Sequence, residues 1–268
     1  MALLQVPDGL ELVTDPSVAD WIMERLWPWG PGSSEGDRVR IGSFLPEVYQ
    51  TYSRIFHPAY RAQGDVGTMR WSALAERRGL TLGPELGFTE VSGLDPGDTQ
   101  AWQDAVPLQG SLPRDQLRAL ARILESNTST PDDCWFCLWE GFGFWGGRVE
   151  YGRSSEDSLA QREAARRRAV AGAERETRVL DRIPRVHGRH RAYFLFQGSL
   201  SRLPSFEFGP WYQSPNLWWP DDRAWCAASE VDSYSSYVGG SGECIAAVLG
   251  SPHLEGIEVD LQVQLDPP

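Results

Sequence analysis

The sequence predicts an α+β fold: mixed, mainly antiparallel sheets with a few flanking helices, arranged as two packed subdomains. Three observations carry this expectation. Runs such as CWFCLWE and HRAYFLFQG are rich in the aromatic and β-branched residues that suit strands. Stretches opening near Ser111 and Ser241 carry helical signals. Strands and helices do not alternate as regular βαβ units. The expected boundaries are an N-terminal α+β subdomain at 1–150, an Arg/Ala-rich helical or flexible linker at 151–185, and a C-terminal α+β subdomain at 186–268.

The elements follow in chain order. Asp15-Pro16 reads as an N-cap and first helical position, opening a helix that runs to about Trp27 and stops at Pro28. RVRIGSF alternates Val39 and Ile41 and reads as a short strand. EVYQTYSRIF reads as a strand ended by His57-Pro58. Thr68 is placed to cap a short helix, MRWSALAERR, closed by Gly79. Residues 79–110 are rich in Gly, Pro and turn formers and predict long loops with brief strands. From Ser111, the residues Leu117, Leu120, Ala121 and Leu124 follow the spacing of one buried helix face. CWFCLWE then predicts a central strand, apolar on both faces.

Residues 154–180 are Ala-, Arg- and Glu-rich and predict a solvated helix or charged linker. Beyond them HRAYFLFQG and RAWCAASEVD read as strands, the second with Trp225, Ala227, Ser229 and Val231 on one face. GSGECIAAVLG predicts a helix from Ser241 to Gly250. GIEVDLQVQL alternates from Ile257 to Leu265 and predicts a half-buried strand, suited to an edge.

Composition bounds the function. The apolar fraction of 41% and charged fraction of 23% are globular values. No run is apolar for the roughly 18 residues a membrane helix needs, and no basic residue precedes the first apolar patch as in a secretory signal. All 25 basic residues are Arg, in keeping with GC-rich coding, and the net charge is −12. The Arg are concentrated in residues 151–191, where the local charge is positive, while both flanks are strongly acidic. Such a protein repels nucleic acid and anionic membranes and suits a basic partner or a neutral ligand. Four cysteines with no signal sequence read as free thiols of a cytosolic protein.

Each candidate for chemistry has a structural alternative. Cys134-x-x-Cys137 has the spacing of a redox pair or half a zinc site. Inside a strand, however, residues i and i+3 face opposite ways, which favours structural thiols. Of the histidines, His57 sits at a strand end, where it can reach a pocket; His187, His190 and His253 carry no pattern. Gly239-Gly240 before a helix could present N–H groups to a phosphate, but a tight strand-to-helix turn needs the same residues. The densest cluster is QSPNLWWPDDRAWCAASEVD. There Asn216, Trp218, Trp219, Asp221, Asp222 and Arg223 occupy a Pro-bounded loop, and Glu230 and Asp232 share the far end of the next strand. It reads as a seam of the core, as a recognition surface, or as an acid pair holding a divalent cation. Of twelve Trp, Trp145, Trp218 and Trp219 are the ones expected to be exposed.

SPNLWWPDDRAWCAASEVD, SYVGGS, IGSFLPEVYQTYSRIFHPAY and TPDDCWFCLWEGFG together resemble an uncharacterised family of actinobacterial proteins. The family's recognisable words fall at His57, Trp135, Trp139, Glu140, Asn216, Trp218, Asp222, Arg223, Trp225, Glu230 and Gly239-Gly240. The resemblance implies no activity. The expectation is therefore a cofactor-free, non-catalytic binding protein, immunity-type or regulatory, that recognises a protein or polar ligand. Its predicted contacts are Asn216, Trp218, Trp219, Asp221, Asp222, Arg223, Glu230, Asp232 and His57. The alternatives are a metal-dependent hydrolase or transferase using Glu230, Asp232 and His57, and glycan binding by Trp218 and Trp219.

Overall fold

The strand-forming runs pair into one antiparallel sheet, seen in a computed structural model that describes residues 6–28, 39–60, 68–94, 106–142, 180–188, 191–205, 207–208 and 211–264. The sheet contains β1 (Leu10–Val13), β2 (Thr51–Phe56), β5 (Cys134–Trp139), β6 (Val186–His187), β7 (Ala192–Gly198), β10 (Leu217–Pro220), β11 (Cys226–Ser229), β12 (Ser235–Gly240) and β13 (Gly256–Val259). Their spatial order is β1-β7-β5-β10-β11-β12-β2-β13, with β6 also pairing β7. Two-residue ribbons, β3 with β4 (Ala59–Tyr60, Thr68–Met69) and β8 with β9 (Glu207–Phe208, Trp211–Tyr212), lie outside it.

This arrangement is α+β as expected, but the division into 1–150 and 186–268 does not divide the sheet. β5 lies between β7 and β10, and β2 between β12 and β13, so strands of the two halves interleave. Most of the expected 151–185 linker lies outside the described residues, as do His190 and Trp145.

Helices cover both faces of the sheet. On one face α4 (Arg114–Glu125) and α5 (Gly242–Leu249) sit over Phe136, Phe196, Trp218, Trp225 and Val238. α4 buries Leu117, Leu120, Ala121 and Leu124, the four residues its periodicity marks. Each leucine is worth about 2 kcal/mol relative to exposure. Ser241 caps α5 by accepting from Cys244 N at 3.1 Å. On the other face Ala19 and Ile22 of the first helical segment, with Ile41, Phe44, Leu45, Leu261 and Val263, cover Tyr52, Leu195, Trp219 and Tyr237. A third cluster packs α2 (Trp71–Arg77) and α3 (Phe88–Ser92) against Phe56.

Four local expectations are corrected. Residues 41–43 form a 3-10 turn, not a strand. Among the described residues of this run only Arg40 makes a strand-like bridge, to Gln264, while Ile41 N and Gly42 N donate to the Val263 and Leu261 carbonyls. The predicted strand GIEVDLQVQL stops at Val259, because Asp260 turns the chain by accepting Gln262 N on its own side chain at 2.7 Å. Thr68 does not cap α2; the Glu255 carboxylate does, accepting Trp71 N at 2.6 Å and Ser72 N at 2.9 Å. The first helical segment is also shorter than expected, a 3-10 turn at Pro16–Ala19 followed by α1 at Asp20–Met23.

Candidate functional site

The sequence-marked loop is mostly a seam. Adjacent residues of a strand face opposite ways. Trp218 therefore enters the α4 side of the sheet and meets Trp225 edge-on at 5.1 Å, while Trp219 enters the other side and meets Trp21 edge-on at 6.2 Å. Both are at most 2% exposed. The expectation that they are exposed is corrected: two large apolar rings flanking a central strand are the sheet's filling, out of reach of a partner or glycan. Asn216 is buried too. Its Oδ1 accepts Trp139 N at 2.8 Å and its Nδ2 donates to the Ser229 carbonyl at 3.0 Å, so one amide ties β5 to β11 across the start of β10.

The polar residues of the turn are also engaged. Asp222 accepts from Thr128 Oγ1 (2.8 Å), Ser129 N (2.7 Å), Ser129 Oγ (2.8 Å) and Ala224 N (3.1 Å). Partial burial works against its charge, yet these bonds outweigh that and hold its carboxyl below the usual carboxylate range. Asp221 accepts the Trp135 indole N–H at 3.3 Å. Arg223 adopts a left-handed φ of 57° to close the turn and lays its guanidinium 4.8 Å over Trp21.

Glu230 and Asp232 do come together, around Arg191 and not Arg223. Arg191 donates to Glu230 Oε1 at 2.5 Å and Asp232 Oδ2 at 2.7 Å and lies 5.0 Å over Trp139. This cluster borders a cavity of about 30 Å³, shared with Asn216 and Tyr193, with room for a water molecule but no substrate. His57 does not join it. The imidazole is fully buried, with Nδ1 2.7 Å from the Leu108 carbonyl and Nε2 2.8 Å from Ser236 Oγ. Burial pushes its pKa down to about 4. Among the described residues no three His, Cys, Asp or Glu side chains gather as metal ligands would.

The other sequence candidates resolve similarly. Cys134 and Cys137 face opposite sides of the sheet, and all four cysteines are buried free thiols. Burial pushes the Cys134 thiol up to about 12 and that of Cys244 up to about 11. Gly239 and Gly240 lie within β12; a Cβ on Gly239 would stand 2.7 Å from the Tyr49 and Tyr52 rings, so the glycine makes room for aromatic packing.

Those rings belong to a concavity that sequence patterns did not mark. A groove of about 650 Å³ runs along the ends of β2 and β13, lined by Trp27, Tyr49, Tyr52, Glu47, Glu258 and Asp260 among others. Trp27 lies on Gly42, where a Cβ would meet its ring at 2.4 Å, and donates its indole N–H to Glu47 Oε2 at 3.2 Å. Tyr52 ties the rim by donating to the Pro46 carbonyl at 2.9 Å and accepting Val48 N and Tyr49 N. Thr51 Oγ1 donates to Glu258 Oε1 at 2.9 Å. Each of the three carboxylates is thus oriented through one oxygen, which leaves the other for a ligand. The Tyr49 hydroxyl is buried with no hydrogen-bond partner among the described residues, and desolvation raises its pKa. No Arg or His lines the groove among the described residues.

Comparison with protein-family models, with curated proteins and with solved structures finds no match for this chain.

Proposed function

We propose that this protein is a non-catalytic binding protein that recognises a basic protein partner in the groove between Trp27, Glu47 and the β13 end. The observation that carries the reading is the lining itself. Glu47, Glu258 and Asp260 surround aromatic rings, with no cationic side chain among the described residues that line the groove. Such a site suits an Arg or Lys side chain, which can pair with a carboxylate while its charge lies over a ring. A net charge of −12 supports the same reading, because it steers a basic partner toward the protein and speeds association. Recognition of a basic partner suits an immunity-type or regulatory role. It replaces the Trp/Asp/Arg loop as the contact surface, since that loop's indoles are buried and its carboxylates engaged. The metal-hydrolase alternative loses support, because Glu230 and Asp232 both pair with Arg191 and His57 lies elsewhere.

The test titrates a fluorescent oligo-arginine peptide into wild-type protein and two triple variants. One variant is Glu47→Gln, Glu258→Gln and Asp260→Asn, which keeps every internal hydrogen bond. The other is Glu11→Gln, Glu125→Gln and Glu243→Gln, which removes the same charge elsewhere. Three exposed ion pairs at about 0.5–1 kcal/mol each predict a loss of about tenfold or more for the groove variant. The control variant should stay within about twofold, as net charge alone is screened at physiological salt. Equal losses in both, or no binding by wild type, would refute the groove as the site.

A further inference from the structure

The acidic groove borders an open edge of the sheet. β13 pairs β2 on one side and, among the described residues, no strand on the other. The register tells which backbone groups face outward. Phe56 N donates to the Glu255 carbonyl at 2.8 Å, and Ile257 and Val259 stand opposite Arg54 and Tyr52. Hydrogen-bonded pairs alternate along an antiparallel ladder, so residues 255, 257 and 259 bond to β2 while Gly256 and Glu258 turn their N–H and C=O groups away from it. Among the described residues nothing bonds to those outward groups. Farther on, the Leu261 and Val263 carbonyls are taken by Gly42 N and Ile41 N, so the opening is confined to β13. Glu258 is exposed and Gly256 half-buried, which leaves the edge within reach of a partner.

The charges along this edge select what can complete it. The run EGIEVD, residues 255–260, carries three acids and no basic residue. A second copy pairing edge to edge would set those acids against one another, and like charges on neighbouring strands oppose pairing. A strand with basic residues at alternate positions meets the opposite condition. Glu258 and Asp260 are two residues apart and both line the groove, so successive side chains on one face of such a strand reach one acid each.

We infer that the basic partner docks as an extended strand, antiparallel to β13, with its backbone paired to Gly256 and Glu258 and alternate Arg or Lys side chains entering the acidic groove. This rests on the groove being the site of a basic partner, and it adds the form in which that partner is bound. In antiparallel pairing the residue opposite Glu258 both exchanges backbone bonds with it and shares its face. The same partner residue thus supplies the charge and the backbone pair. Backbone bonds then give affinity that is blind to sequence, while the carboxylates choose the side chains.

The test titrates the full chain with a fluorescent peptide that alternates Arg and Thr, and with two isomers of it, one N-methylated at every Arg and one at every Thr. All three carry the same charge, and the isomers the same bulk. Methylation at Arg removes the N–H groups that face β13 and should weaken binding about tenfold or more, whereas methylation at Thr removes only those facing solvent and should leave binding unchanged. Glu258→Pro removes one outward N–H and spares the bonds to β2, so it should weaken the parent peptide beyond the loss caused by Glu258→Gln. Unchanged thermal melting shows that this variant folds; the isomers, which leave the protein untouched, settle the matter if it does not. Isomers that bind alike, or a Thr isomer weaker than the Arg isomer, would overturn strand addition. In that case the groove survives if Glu47→Gln, Glu258→Gln, Asp260→Asn still weakens the parent peptide. A groove variant that binds the parent peptide as wild type does would remove the groove, and strand addition with it. A dimer in solution that Glu258→Pro dissolves would give the edge to a second copy and also overturn the inference.

Discussion

Acidification should destabilise this protein through one residue, His57. A carbonyl only accepts, so Nδ1 beside the Leu108 oxygen carries the proton and Nε2 accepts the Ser236 hydroxyl. Ser236 Oγ in turn lies 2.5 Å from Ser229 Oγ, which then donates to it. A second proton on Nε2 would reverse this chain and place a charge where the ring is fully buried. Desolvation therefore pushes the pKa down to about 4 from 6.5. The sign follows from proton counting. Above pH 6.5 the ring is neutral folded or unfolded, and its contribution is complete. Between 6.5 and about 4 the unfolded chain binds a proton the fold refuses, so stability falls with pH. At about 1.36 kcal/mol per unit the loss reaches about 3 kcal/mol by pH 4. Urea unfolding at steps between about pH 7.5 and 4.5 measures it. His57→Asn keeps a donor for Leu108 but cannot titrate, and subtracting its profile removes the contribution of the carboxylates. The difference between the two profiles should grow steadily below pH 6.5. A flat difference would refute the assigned protonation state.

Three further outcomes are expected. Trp218→Ala should cost about 3–5 kcal/mol in denaturant unfolding, since a fully packed indole is removed; a cost under about 1 kcal/mol would mean that the ring is not buried. Gly110→Ala should lower the melting temperature sharply, because φ is 65° there and a Cβ would stand 2.5 Å from the Val231 carbonyl oxygen; the same substitution at Gly83, where a Cβ meets nothing within 4 Å, is the neutral control. A thiol reagent at mildly alkaline pH should label none of the four cysteines until the protein unfolds, because each is buried and its thiol pKa raised; fast labelling of any one in native buffer would contradict that packing.

Much of the sheet was legible because its strands carry their own signal. β5, β7 and α4 declare themselves through aromatic content or a single apolar stripe, and the opposite facing of Cys134 and Cys137 follows from strand geometry alone. What the pattern could not convey is which face meets what. Trp218 and Trp219 sit beside Pro and Asp in sequence, like a surface loop, yet α4 covers one and α1 the other. Val39 and Ile41 alternate like a strand, but Ile41 is drawn into a 3-10 turn under Leu261 and Val263. The acidic groove was invisible for a related reason. Trp27, Glu47 and Asp260 lie on three distant segments, and only the pairing of β2 with β13 brings them to one rim. Glycine was the available clue: Gly42 and Gly239 are there because indole and phenol rings press on their Cα atoms.

The interleaved strand order also governs how the chain can be made. During synthesis β2 leaves the ribosome long before β12 (Ser235–Gly240) and β13 (Gly256–Val259), the strands that flank it among the described residues. β1 likewise waits for β7. A nascent chain that has reached only β5 therefore exposes unpaired strand edges until residues 235–259 have been made, a state that invites chaperone binding and resists being cut into independently folding pieces.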